Sequence, residues 1–213
     1  SSVRVSHILF SHLREIFHYI EPPSCDDAEI FHTHNQVYSH ELRDLLMLAC
    51  TEVESAWRAI LDANEVCQEH YSTNHYVKLN RALRLNEWVV RLSTHPSYGM
   101  IAPFSNWDSA APTTSLPWYD AYNATKHGRE RSFSRSSFGA VIEAMAAVYI
   151  MNIAQFGDKH LASDGAFFSS DEFYFVQAPK WSSEELYVRP IECQDVEGGW
   201  LGYRHWTPTP YKF

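Results

Sequence analysis

Between Leu42 and Leu61 the apolar residues return every three or four positions. Leu42, Leu45, Ala49, Val53, Ala56 and Ile60 follow steps of 3, 4, 4, 3 and 4, with Leu46, Cys50, Trp57 and Leu61 beside them. That period is the helical one, and the stripe is wide enough to be covered by more than one neighbour. A helix running from about Gln36 to Ala63 is about 40 Å long at its ordinary rise per residue. An element of that length with that face suits a helical bundle.

Other segments supply partners for it. Ile8, Leu9, Leu13, Ile16, Phe17 and Ile20 recur at helical spacing from Ser6 to Ile20, and Glu21-Pro22-Pro23 ends the pattern. Asp26 to His34 is polar and undecided. Leu79, Ala82, Leu83, Leu85, Val89 and Leu92 predict a helix over about Tyr76 to Ser93, closed by His95-Pro96. Ser97 to Pro117 reads as a long ordered loop anchored by Phe104 and Trp107. Pro117 then opens a short helix that Gly128 breaks. A last helix spans about Ser137 to Phe156, with Glu143 as its only charge, and its nearly all-round apolarity predicts a central position.

After Gly157 the pattern changes. Phe167-Phe168, Phe173-Tyr174-Phe175-Val176 and Leu186-Tyr187-Val188 are short aromatic and β-branched runs cut by Pro179, Pro190 and Gly198-Gly199, as strands and turns require. The expected fold is therefore mainly α, an up-and-down helical bundle over residues 1–156, with a C-terminal extension of short β-strands and loops over residues 157–213. Trp200, Tyr203, Trp206 and Tyr211 make the end of that extension an aromatic arm that packs on the bundle or on a protein partner.

Composition removes several classes of function. With 17 Lys and Arg against 26 Asp and Glu, the chain carries a formal charge of −9, unlike a protein that coats nucleic acid with a broad positive field. The N-terminal residues show no charged region followed by an apolar core, so the cytoplasm is the expected compartment. Ala140 to Ile153 is short for a bilayer and holds Glu143 and Asn152, so no membrane contact is expected. Cys25, Cys50, Cys67 and Cys193 form no C-x-x-C pair and read as reduced thiols. Asn123-Ala124-Thr125 matches a glycosylation signal by chance in that compartment. His32, His34 and His40 lack a recognised metal spacing, so neither a metal nor another cofactor is expected.

The chemistry concentrates in Trp118 to Arg135. On a helix Trp118, Tyr122 and Lys126 share one face, and Asn123 and His127 are also four apart. Lys126, Arg129, Arg131 and Arg135 stand against the single anion Glu130, in a chain that is acidic overall. Basic groups at a helix C-terminus compensate its dipole. The same donors suit a phosphate, with His127 able to move protons near neutral pH.

Two further sets stand out. Lys78, Arg81, Arg84, Trp88 and Arg91 would form a basic ridge on the third helix, able to follow a phosphate backbone or to face solvent. Glu52, at the edge of the long stripe, calls for a cation, with Lys126, Arg129 and Arg131 the candidates, and Glu143 either meets a cation of the 126–135 segment or reaches solvent.

The pattern Pro117-Trp118-x-x-x-Tyr122-Asn123-x-x-Lys126-His127-x-Arg129 lies between a Pro-rich loop with Phe104 and Trp107 and a final apolar helix. With an upstream long helix carrying Glu52 and Arg58, it resembles the bacterial HEPN-like (higher eukaryote and prokaryote nucleotide-binding) family over about residues 36–156. The resemblance implies a helical bundle, a homodimer, and binding of RNA or a nucleotide. Many members cleave RNA without metal in toxin–antitoxin or antiphage systems, through an R-x(4–6)-H motif. No histidine here has an Arg at that spacing. The resemblance therefore assigns the catalytic roles to His127 as acid and base, Lys126 and Arg129 on phosphate and Asn123 orienting His127, with Arg131, Arg135, Tyr122 and Trp118 as binding residues. The alternative is a noncatalytic interaction or nucleotide-binding module in which the basic segment is a structural cap.

Overall fold

A computed structural model describes residues 2–128, 130–156, 172–180 and 210–213. The fold is mainly α. The helices are α1 (Ser2–Phe17), α2 (Ala28–Asn35), α3 (His40–Ala63), α4 (Thr73–Tyr76), α5 (Lys78–Ala82), α6 (Pro117–His127) and α7 (Phe138–Phe156), and the strands are β1 (Val89–Leu92) and β2 (Phe173–Gln177).

The long stripe forms the helix it predicts. Ser39 caps α3 by accepting from the Leu42 N–H at 3.1 Å, which satisfies one of the donors a helix start leaves open. Leu42, Leu45, Leu46, Ala49, Cys50, Val53, Trp57, Ile60 and Leu61 are all buried. α3 packs most extensively on α7 and is flanked by α1 and α6. The polar Asp26–His34 stretch holds α2, whose first turn Asp27 caps.

α7 occupies the centre. Val141, Ile142 and the run from Ala144 to Met151 are buried. One helical stretch among the described residues, Phe138–Gln155, is long and apolar enough to cross a bilayer, and 67% of it is buried inside the fold. Gly139 allows α2 to approach closely, since a Cβ there would lie 3.2 Å from the Asn35 side chain. Asn35 in turn accepts the Tyr98 hydroxyl at 2.6 Å. Thr125, the third residue of the apparent glycosylation signal, is buried, with its hydroxyl bonded to Ala121 and Ser136. Cys25, Cys50 and Cys67 are free thiols, and Cys193 lies outside the described residues.

The segment from Tyr76 to Ser93 corrects the sequence reading. The single helix expected there is two short helices, a 3-10 turn at Leu85–Glu87 and then β1. Arg84 breaks the helix with a left-handed backbone (φ 48°) and forks onto Glu87 at 2.7 and 2.6 Å. β1 pairs antiparallel with β2, Leu92 opposite Phe173 and Arg91 opposite Tyr174. The expected basic ridge does not form, since Trp88 is buried and its indole N–H donates to the Leu83 carbonyl. The sheet is thus shared between the bundle region and the C-terminal extension. The extension also returns to the bundle at its end, where the Tyr211 N–H donates to Asn64 at 2.6 Å. Tyr211 is half exposed, and Trp200, Tyr203 and Trp206 lie outside the described residues.

Glu143 meets no cation among the described residues. Burial lifts its carboxyl to about 7, so the folded state holds a proton that the unfolded chain releases near its ordinary value. Stability then falls as pH rises between about 4.5 and 7, by about 3 kcal/mol in all. Glu143→Gln should raise the urea midpoint at pH 8 and leave it nearly unchanged near pH 4.5. An equal gain at both pH values would contradict the assignment.

Candidate functional site

The α3–α6 contact brings together a carboxylate, three tyrosines and two cations. Its base is aromatic. Trp57 of α3 is fully buried, stacked on Trp107 with centroids 4.9 Å apart and packed against Tyr76 at 5.1 Å and Tyr119 at 5.4 Å. This packing fixes both tyrosine rings and so aims their hydroxyls.

Glu54, three residues before Trp57, is only 9% exposed. A carboxylate at that depth needs donors. The Tyr119 hydroxyl donates to its Oε1 and the Tyr122 hydroxyl to its Oε2 at 3.4 Å. Arg58, one turn along α3, stands 3.7 Å from the same Oε2, and its Nε donates to the Tyr76 hydroxyl at 2.8 Å. Lys126 donates from Nζ to the Tyr122 hydroxyl at 3.2 Å, with the ammonium 5.2 Å from the centre of that ring. Each cation thus rests on a tyrosine hydroxyl, Tyr122 links Lys126 to Glu54, and Tyr76 links to Glu54 through Arg58.

Electrostatics follows from this wiring. Burial, then the bond to Glu54, drives the Tyr119 phenol far above its ordinary range, and burial also raises Tyr76. The bond to Tyr122 raises Lys126, and the bond to Tyr76 raises Arg58, so both stay charged. One carboxylate faces two cations, and the surplus is positive. The Arg58 side chain is 52% exposed and Lys126 is exposed as well. The guanidinium and ammonium are therefore open to an anion in solvent.

The sequence candidates divide around this hub. Lys126 belongs to it, and Tyr122, at 2% exposure, is its inner link rather than a surface platform. Trp118 is fully buried, its indole N–H bonded to the Pro103 carbonyl at 2.9 Å, so it anchors the long loop and cannot touch a ligand. His127 is the exposed last residue of α6, and its ring makes no hydrogen bond among the described residues. Asn123 is half-buried, and no side-chain hydrogen bond joins it to His127, so four-residue spacing alone does not make it the orienting group. Arg131 is exposed, whereas Arg135 is paired with Asp120 at 2.6 Å and braces the turn after α6. Arg129 lies outside the described residues. The buried carboxylate is Glu54, not Glu52. Among the described residues no three metal-ligating side chains converge, and His32 bonds to Gln36 instead of joining His34 and His40.

A signal for Glu54 was present in the sequence. Leu46, Cys50, Trp57 and Leu61 form a row with steps of 4, 7 and 4, and position 54 fills its gap. No family model, curated protein or solved structure matches the chain, and the site is read from its own side chains.

Glu54→Ala should cost about 2–3 kcal/mol, because it leaves two buried hydroxyls without their acceptor. Combined with Tyr119→Phe, it should cost at least about 1 kcal/mol less than the two single losses added, as read by urea unfolding. Strict additivity would mean the two groups do not act on each other.

Proposed function

We propose that this chain is a HEPN-like RNA-binding protein that takes the RNA backbone at the mouth formed by Arg58 and Lys126, with His127 beside it as the proton-transfer group. The observation that carries this reading is the pair of exposed cations, each held on a tyrosine hydroxyl around Glu54. A phosphate supplies the anion that this surplus positive charge lacks, and Arg58 offers it a planar fork. The chain is acidic overall, so attraction is local and depends on those few groups.

In this reading the three groups divide the chemistry. His127 takes the proton of a 2′-hydroxyl as its oxygen attacks the adjacent phosphorus. Lys126 and Arg58 offset the charge that gathers on the phosphorane oxygens. The bond to the 5′-oxygen breaks, and that oxygen takes up a proton from solvent, leaving a 2′,3′-cyclic phosphate. No metal enters these steps.

Incubation of the purified chain with mixed cellular RNA in excess EDTA tests this directly. The wild type should cut, and His127→Ala should lower the rate at least about a hundredfold without loss of RNA affinity. Lys126→Ala should weaken binding. RNA that is bound but never cut, with His127→Ala indistinguishable from wild type, would establish a noncatalytic module. Absence of RNA binding would overturn the reading.

A further inference from the structure

One residue beyond Tyr76, the chain forms an open cavity of about 430 Å³ between α5 and the loop after Phe104. Its walls include Val77, Asn80, Arg81, Asn86, Trp107 and Asp108. The volume lies in the range of small-molecule sites and suits one nucleobase.

The cavity has a fixed frame. The Asn80 amide donates to the Trp107 carbonyl at 3.0 Å and accepts the Asn86 N–H at 3.0 Å, so one side chain ties the two sides together. The Trp107 indole N–H donates to the Pro112 carbonyl at 2.9 Å, and its ring stacks on Trp57. The charged groups at the same cavity are differently placed. The Arg81 side chain makes no hydrogen bond or ion pair among the described residues. Among the described residues the Asp108 carboxylate accepts only the Ala110 N–H, at Oδ1, and nothing engages Oδ2. Although both line one cavity, the two do not pair with each other.

A frame held by internal hydrogen bonds, carrying an unengaged guanidinium and an unengaged carboxylate, fits a flat ligand with an acceptor edge beside a donor edge. Guanine has both. Its O6 and N7 accept the guanidinium fork, and its N1–H and N2–H donate to a carboxylate. Adenine places a donor where guanine has O6 and a lone pair where guanine has N1–H, so both charged groups would face the wrong partner. Pyrimidines lack the N7 acceptor and the N2–H donor that complete the two edges of guanine.

We infer that this cavity is a guanine-reading pocket, taking a base of the RNA whose backbone the Arg58–Lys126 mouth holds. The inference rests on the RNA reading for its source of guanine, but the pocket can be tested without any phosphate. Guanosine and adenosine would be titrated into the full chain by calorimetry. Guanosine should bind at least about tenfold more tightly than adenosine. Asp108→Asn and Arg81→Ala, both exposed and without structural bonds to break beyond the Ala110 turn, should each weaken guanosine at least about tenfold. Lys126→Ala should leave guanosine binding unchanged. An oligouridylate, which offers no guanine, should lose affinity in Lys126→Ala and keep it in Asp108→Asn. Equal binding of the two nucleosides, no binding of guanosine, or a guanosine preference retained in Asp108→Asn would overturn the pocket. Failure of the oligouridylate to bind at all would count against the RNA mouth alone.

Discussion

A carboxylate set into the wall of an apolar core must be met by donors, and much of the α3–α6 arrangement answers that requirement at Glu54. Its two oxygens take the hydroxyls of Tyr119 and Tyr122, which lie on one face of α6. Their rings are immobilised by packing, Tyr119 on Trp57 and Tyr122 on Tyr119. Helix register, ring orientation and charge placement are therefore coupled. Rotating α6 by one residue would separate both hydroxyls from the carboxylate and move Lys126 off Tyr122.

The same network organises what solvent meets. Tyr76 and Tyr122 project their hydroxyls to Arg58 and Lys126, and both cations stay exposed above the buried carboxylate. In a chain of net charge −9 this is a local reversal of sign, short in range at physiological salt. The cavity beginning at Val77 adjoins it along the chain, and Trp57 lies behind both, touching Tyr76 on one side and Trp107 on the other. The aromatic nest is thus the common support of the proposed backbone site and of the proposed base pocket.

Much of this was legible in the sequence, and the exceptions have physical causes. The stripes of α1, α3 and α7 and the Pro117 start of α6 are local signals, and they marked the right elements. The stretch from Tyr76 to Ser93 reads as a helix because Leu79, Ala82, Leu83 and Val89 also satisfy a helical period. What makes Val89–Leu92 a strand is its pairing with Phe173–Gln177, more than eighty positions away, which no local pattern reports. At the site, Lys126 is visible in the charge cluster, whereas no spacing or motif sets Tyr119 apart. Glu54 was hidden because Glu52 also borders the stripe, and only the row through Cys50 and Trp57 separates the two. The resemblance makes Trp118 and Arg135 binding residues, although the four-residue spacing of Trp118 and Tyr122 is that of packed core aromatics. A buried carbonyl partner and a neighbouring aspartate engage them instead.

The central claim, that Arg58 and Lys126 are held out to meet phosphates, is tested most directly by the salt dependence of affinity for single-stranded RNA. The wild type would be compared with a variant carrying Arg58→Gln and Lys126→Gln, after both are shown to be folded by circular dichroism. The account predicts that the slope of log affinity against log salt becomes shallower by about 0.7 for each cation removed. An unchanged slope would show that neither group contacts the backbone and would contradict the account.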